Sequence, residues 1–160
     1  MTISVGDSVP SVTMKHKTAE GIQNISTSEL FDGKKVVVFG LPGAFTPTCS
    51  AKHLPGYLAK ASDLKAKGVD TIACLSVNDA FVMDAWGKDQ GVGDEVLMLA
   101  DGNAELTEAL GLVFDGRGFG MGTRCQRFAM IVDDGKVTVL NIEEPGAFEV
   151  SSAEAILEAL

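Results

Sequence analysis

Six consecutive residues, Lys35-Val36-Val37-Val38-Phe39-Gly40, constrain the fold of this chain more than any other stretch. The run is short, β-branched and closed by glycine, which suits a strand covered on both faces of a sheet. A second buried strand is expected over Thr71–Val77. Between them the residues from Cys49 to Lys67 read as helical, broken by Pro55 and ended by Gly68. Short strands are expected near Val12–Met14 and Gln23–Ile25, then a helix around Phe81–Lys88, a strand at Val96–Ala100 and a helix at Ala104–Leu110. Strand Phe128–Val132 turns at Asp134-Gly135, a strong hairpin signal, into strand Lys136–Ile142. A last helix, opened by Ser151 or Ser152, runs to Leu160 with Ile156 and Leu157 on its apolar side. Strands alternating with helices, then a hairpin and a helix, make an α/β pattern. With no repeat, linker or low-complexity segment, residues 1–160 read as a single domain, and 46% hydrophobic content supplies its core.

The first of these strands delivers a cysteine. The stretch Leu41-Pro42-Gly43-Ala44-Phe45-Thr46-Pro47-Thr48-Cys49 puts a lone thiol where a strand ends and a helix begins. Unpaired N–H groups at a helix start favour an anion, and a thiolate is one. Strand-turn-helix placement therefore points to an activated nucleophile, against the alternative of an inert buried thiol. Thr46 stands three residues before the cysteine, where a dithiol oxidoreductase needs its other thiol, so dithiol exchange at this turn is excluded. A hydroxyl there donates to a thiolate and accepts from a substrate that carries its own proton.

Pro42-x-x-x-Thr46-x-x-Cys49 resembles the active-site signature of the peroxiredoxins, the cysteine-dependent peroxidases. The run from Gly40 to Ser50, the segment His53–Gly56, Ser76–Met83 with Trp86, Leu99–Asp101 and Arg127–Met130 are similar to the type II, or fifth-type, branch found in plants and bacteria. The likeness covers nearly the whole chain. It implies a thioredoxin-like fold with the N-terminal extension and insertion of a peroxiredoxin. It also implies reduction of hydrogen peroxide and small organic hydroperoxides through a Cys49 sulfenic acid, recycled by glutaredoxin, glutathione or thioredoxin. No cofactor is called for. A peroxide-sensing or chaperone-like module of the same fold is the alternative, distinguished by its lack of turnover.

By the same resemblance Thr46 and Arg127 orient the peroxide and stabilise the leaving oxygen, and Pro42 shields the sulfur from water. Arg124 is the competing arginine. Cys74 matches the second cysteine of the plant-like members and is a candidate resolving thiol, set against a one-cysteine cycle. Cys125 has no place in the pattern. His53, one helical turn past Cys49, raises a Cys–His dyad or a metal, but with one other histidine in the chain it is expected to support the bent helix instead. Gly116–Gly122 lacks phosphate-loop context and reads as a flexible active-site or interface loop. The resemblance also implies a homodimer beside the active site, to which Phe45, Phe81, Trp86 and Phe119 would contribute. A net charge of −9 argues against nucleic acid or an anionic membrane as partner. Three scattered cysteines and no secretory signal point to a reducing, cytoplasmic setting, or to an organelle form stripped of its transit peptide.

Overall fold

The computed structural model describes residues 1–160. Its strands are β1 (Thr13–Thr18), β2 (Gly21–Ser26), β3 (Lys35–Gly40), β4 (Thr71–Ser76), β5 (Leu97–Ala100), β6 (Val113–Asp115), β7 (Thr123–Cys125), β8 (Phe128–Asp133) and β9 (Lys136–Ile142). The helices are α1 (Thr27–Phe31), α2 (Leu54–Ala66), α3 (Ala80–Asp89), α4 (Glu105–Leu110) and α5 (Ala153–Ala159). Seven strands form one sheet in the order β2-β1-β5-β4-β3-β8-β9, and β6 pairs with β7 in a separate ribbon. At the centre β3, β4 and β5 run parallel, while β8 pairs antiparallel with β3 and β9 antiparallel with β8. A parallel βαβ core completed by an antiparallel hairpin, with the β1–β2 hairpin added before it, agrees with the expected thioredoxin-like fold.

Strand β3 is apolar throughout because both of its faces are covered. Val37 and Phe39 join Ile72, Cys74, Ala129 and Ile131 in one core, closed by α2, α3 and α5. Val36 and Val38 point the other way, into a second core with Ala73, Leu75, Phe128 and Met130 that α1 and α4 close. Each fully buried Val, Leu or Phe side chain contributes roughly 1.5–3 kcal/mol. A polar residue on either face of β3 would therefore be costly.

Several elements depart from the expectations above. The hairpin at Asp134-Gly135 forms as expected, with φ of 49° and 81° at the two positions, and Asp134 Oδ1 also accepts from Gly33 N at 2.7 Å. Pro55 does not break the helix that follows Cys49; it sits in the first turn of α2, where a missing N–H costs nothing. The residues before it, Cys49–His53, form a π turn, closed by Leu54 N donating to Cys49 O. Helix α1 and strands β6 and β7 were not expected, being only five, three and three residues long. They are too short for a period to show. Helix α1 is held by a capping box between Ser26 and Glu29.

Candidate active site

Gly40 ends β3 directly opposite Phe128 of β8. A Cβ at Gly40 would run into the Phe128 ring, so only glycine lets the ring lie across the strand end. The chain then turns, and its turn is tied down on several sides. Leu41 N donates to Leu75 O at 3.2 Å, and Ala44 N donates to Asn78 Oδ1 at 3.0 Å. Phe45 takes a left-handed φ of 63°, an uncommon choice for a bulky residue and a local strain at the head of the site. Gly43 faces the Arg124 guanidinium, 2.5 Å from where a Cβ would stand, so any side chain there would displace it.

The helical rise begins at Pro47, and Cys49 lies in its first turns, fully buried. Its π geometry is locked from outside by Trp86, whose Nε1 donates to Ser50 Oγ at 3.0 Å. Such turns recur at functional sites because they re-aim a side chain without ending a helix. Arg127, immediately before β8, reaches back across the strand end, and its Nη2 donates to Cys49 Sγ at 3.2 Å. Thr46 differs from the expectation in one respect. Its hydroxyl donates to Gly43 O at 2.7 Å, which spends its proton and leaves the oxygen as an acceptor for a substrate O–H.

Behind Arg127 stands His53. Arg127 Nη1 donates to His53 Nδ1 at 2.8 Å, and His53 Nε2 lies 3.1 Å from Ser151 O. A carbonyl only accepts, so Nε2 carries the proton and Nδ1 offers the lone pair. Burial, and then the adjacent Arg127 charge, push the imidazole down to about 3, so it is neutral at any ordinary pH. Tyr57 donates its hydroxyl to the same Ser151 carbonyl at 2.8 Å. The Phe148 ring meets His53 edge-on at 5.2 Å and lies 5.9 Å from the Arg127 guanidinium carbon. His53 was expected to support the bent helix; it is instead the partner of the arginine. Its one-turn spacing from Cys49 was the available signal. Ser151 and Tyr57 carried none as partners of this histidine.

Arg124 is not at the sulfur. Its Nε donates to Met121 O at 2.9 Å and its Nη1 to Pro42 O at 3.3 Å, so it braces the turn that carries the cysteine. Pro42 and Arg127 lie on a cleft of about 550 Å³ with Thr48, Phe114, Phe119 and Pro145. A groove of about 570 Å³ between β1 and the segment joining α3 to β5 contains none of these residues. Cys74 sits mid-strand in β4, fully buried, opposite Phe39 on one side and Met98 on the other. Burial, and after it the neighbouring Cys49, hold its thiol well above the ordinary value. All three cysteines are free. Of the four aromatics expected at an interface, Phe45, Phe81 and Phe119 are exposed, but Trp86 is fully buried. Its indole is spent on Ser50, so it belongs to the core and not to a contact face.

The likenesses to known proteins run the length of the chain. The family model described as Redoxin matches residues 4–157. Peroxiredoxin-2B of Arabidopsis thaliana is 53% identical, covering 99% of this chain and 98% of its own. The chloroplastic peroxiredoxin-2E of the same plant is 52% identical over 99% of this chain and 70% of its own. Reduced Prx3 of Vibrio vulnificus, solved in complex with hydrogen peroxide, is 57% identical, covers 99% of both chains and superposes with a TM-score of 0.95. Chloroplastic relatives match as well as one named without a compartment, so similarity assigns none. No helix is long and apolar enough to cross a membrane. With a thioredoxin-like sheet, a buried cysteine under a guanidinium and near-complete alignment to named members, the chain belongs to the peroxiredoxin family and is a thiol-dependent peroxidase.

Proposed function

We propose that Cys49 is the peroxidatic nucleophile and that Thr46, Arg127 and Pro42 complete its site. The observation that carries this reading is the 3.2 Å contact between Arg127 Nη2 and Cys49 Sγ. The Cys49 thiolate attacks one peroxide oxygen, an S–O bond forms as the O–O bond breaks, and two electrons pass from sulfur to peroxide. The leaving oxygen takes a proton and departs as water or an alcohol. Arg127 faces the charge as it moves from sulfur to that oxygen, and Thr46 Oγ accepts from the O–H of the incoming peroxide. Pro42, on the cleft wall, keeps water from the sulfur. Hydrogen peroxide fits this scheme, and the cleft beside Arg127, walled on one side by Phe114 and Phe119, leaves room for the alkyl group of an organic hydroperoxide.

The Cys49 sulfenic acid is then attacked by an external thiol, releasing water and forming a mixed disulfide that a second thiol reduces. The burial of Cys74 between two paired strands favours this route. A disulfide tolerates Cα separations of up to about 7 Å and defined Cβ directions, so a resolving Cys74 would require β4 to leave its neighbours. Glutaredoxin, with glutathione, or thioredoxin supplies the reductant, and a reducing cytoplasmic setting suits three free thiols. Exposed Phe45, Phe81 and Phe119 support a homodimer that covers them. Steady-state peroxide consumption with glutaredoxin and thioredoxin in parallel tests the cycle. Turnover that stops after one equivalent with every reductant would overturn it. Sedimentation equilibrium of the reduced protein tests the dimer; a mass fixed at the 16.7 kDa of one chain would rule it out.

A further inference from the structure

We propose that Glu143 is a positioning residue for the peroxidase step: its carboxylate fixes the Ser151 carbonyl, and through it the His53–Arg127 contact at the Cys49 sulfur. The proposal rests on the reading of Arg127 given above. One carboxylate oxygen, Glu143 Oε2, accepts from Glu149 N at 2.8 Å, Val150 N at 2.9 Å, Ser151 N at 2.8 Å and Ser151 Oγ at 2.7 Å. Successive amides wrapped around an anion form a nest. Glu143 is only 8% exposed, a cost for a carboxylate that these donors offset. Its own backbone N–H donates to Arg127 O at 2.9 Å, so the carboxylate is held in register with the arginine it serves.

What the nest positions is specific. Residues 148–151 bring Phe148 to Arg127 and His53, and the Ser151 carbonyl to both His53 and Tyr57. Beyond the nest, Asn141 Nδ2 donates to Val150 O at 2.9 Å. The start of α5 does not depend on Glu143, because Ser152 caps that helix by accepting from Ala155 N. The division of labour also makes electrostatic sense. A carboxylate placed directly on Arg127 would orient it but cancel much of its charge at the sulfur. A neutral imidazole orients the guanidinium without cancelling it. The compensating anion is kept further back, occupied by amides.

The test is stopped-flow oxidation of the reduced protein by hydrogen peroxide, followed through Trp86, the sole tryptophan, which touches Ser50 beside Cys49. Glu143→Ala should slow Cys49 oxidation by about tenfold or more, within the hundredfold that a ~1 Å misplacement costs. Glu143→Gln, which keeps an acceptor but not the charge, should recover part of that loss, and it carries the test if the alanine variant does not fold. In an Arg127→Met background the Glu143 change should have almost no further effect, since the two act through one contact. Equal losses in both backgrounds, or Glu143 variants oxidised at the parent rate, would overturn the proposal. Near-parent oxidation of Arg127→Met alone would instead overturn the active-site reading on which it rests.

Discussion

Cys49 and Cys125 are both fully buried and lie in the two different cores on opposite faces of the sheet. The last residue of β7, Cys125 donates its thiol to Gln126 O at 3.1 Å, and burial pushes it up to about 12. A carbonyl faces that sulfur. At Cys49 a permanent cation does, at 3.2 Å. On the proposed reading, two equally buried thiols are told apart by the group that faces the sulfur, a guanidinium at Cys49 and a carbonyl at Cys125. That difference also shows where the investment lies. Around Cys49 a strained turn, a π turn, two arginines and a buried carboxylate converge, while Cys125 meets the Gln126 carbonyl, the Thr107 hydroxyl and the nearby Asp101 charge, with no cation.

The largest expected effect is the simplest break of that comparison. Cys49→Ser should abolish peroxide consumption in a coupled assay, because a hydroxyl at this position is not a nucleophile toward peroxide; substantial turnover would remove Cys49 from the mechanism. Next come the groups that set the two sulfurs apart. Arg127→Met and Thr46→Val should each slow sulfenate formation by roughly a hundredfold, comparable with removing an oxyanion-hole donor. Stopped-flow rates within a few-fold of the parent would make both residues structural. For Thr46 the loss should appear at the peroxide-dependent step, since its hydroxyl bonds Gly43 and not the thiol.

Acid should act on the Cys49 side of the molecule. His53 titrates at about 3 in the folded protein, below its ordinary 6.5, so the unfolded chain takes up its proton first. Stability therefore falls as pH drops from about 6.5 towards 3. For Glu143, burial works to raise the carboxyl, but the Ser151, Glu149 and Val150 hydrogen bonds outweigh it and hold it below the ordinary range. Its contribution, present near neutrality, is likewise lost as pH falls through the carboxylate range. Calorimetric Tm should decline over this window, and His53→Gln should flatten the slope. An unchanged slope would mean that the imidazole does not titrate as described.

Smaller effects separate the remaining thiols. Cys74→Ser should leave the product of one peroxide equivalent unchanged, a mixed disulfide at Cys49 when an external thiol is present. An intramolecular Cys49–Cys74 disulfide in non-reducing peptide mass spectrometry would restore Cys74 as the resolving residue. Cys125→Ser should be the mildest change. Peroxide turnover should stay at the parent level, with about 1 kcal/mol of stability lost, because the serine hydroxyl keeps Gln126 O as its acceptor. A large loss of turnover would break the contrast between the two faces of the sheet.

Much of this protein could be read along the chain. The buried strands β3 and β4, the hairpin at Asp134-Gly135 and the Pro42-x-x-x-Thr46-x-x-Cys49 turn depend on residues close together in sequence, whose local preferences agree with their surroundings. The preference for Arg127 over Arg124 came from the resemblance, while the geometry behind it depends on distant residues. Both precede β8, and the pairing of Gly40 with Phe128 is what sets Arg127 beside the cysteine turn while Arg124 reaches the Pro42 carbonyl. The spacing of His53 from Cys49 showed in the sequence, but its partners did not. His53 lies 98 residues from Ser151, and what it recognises there is a backbone carbonyl, which every residue carries. Thr46 spends its proton on another such carbonyl. Contacts with the main chain have no side-chain signature, so only the tertiary approach of α2, β8 and the segment before α5 decides them.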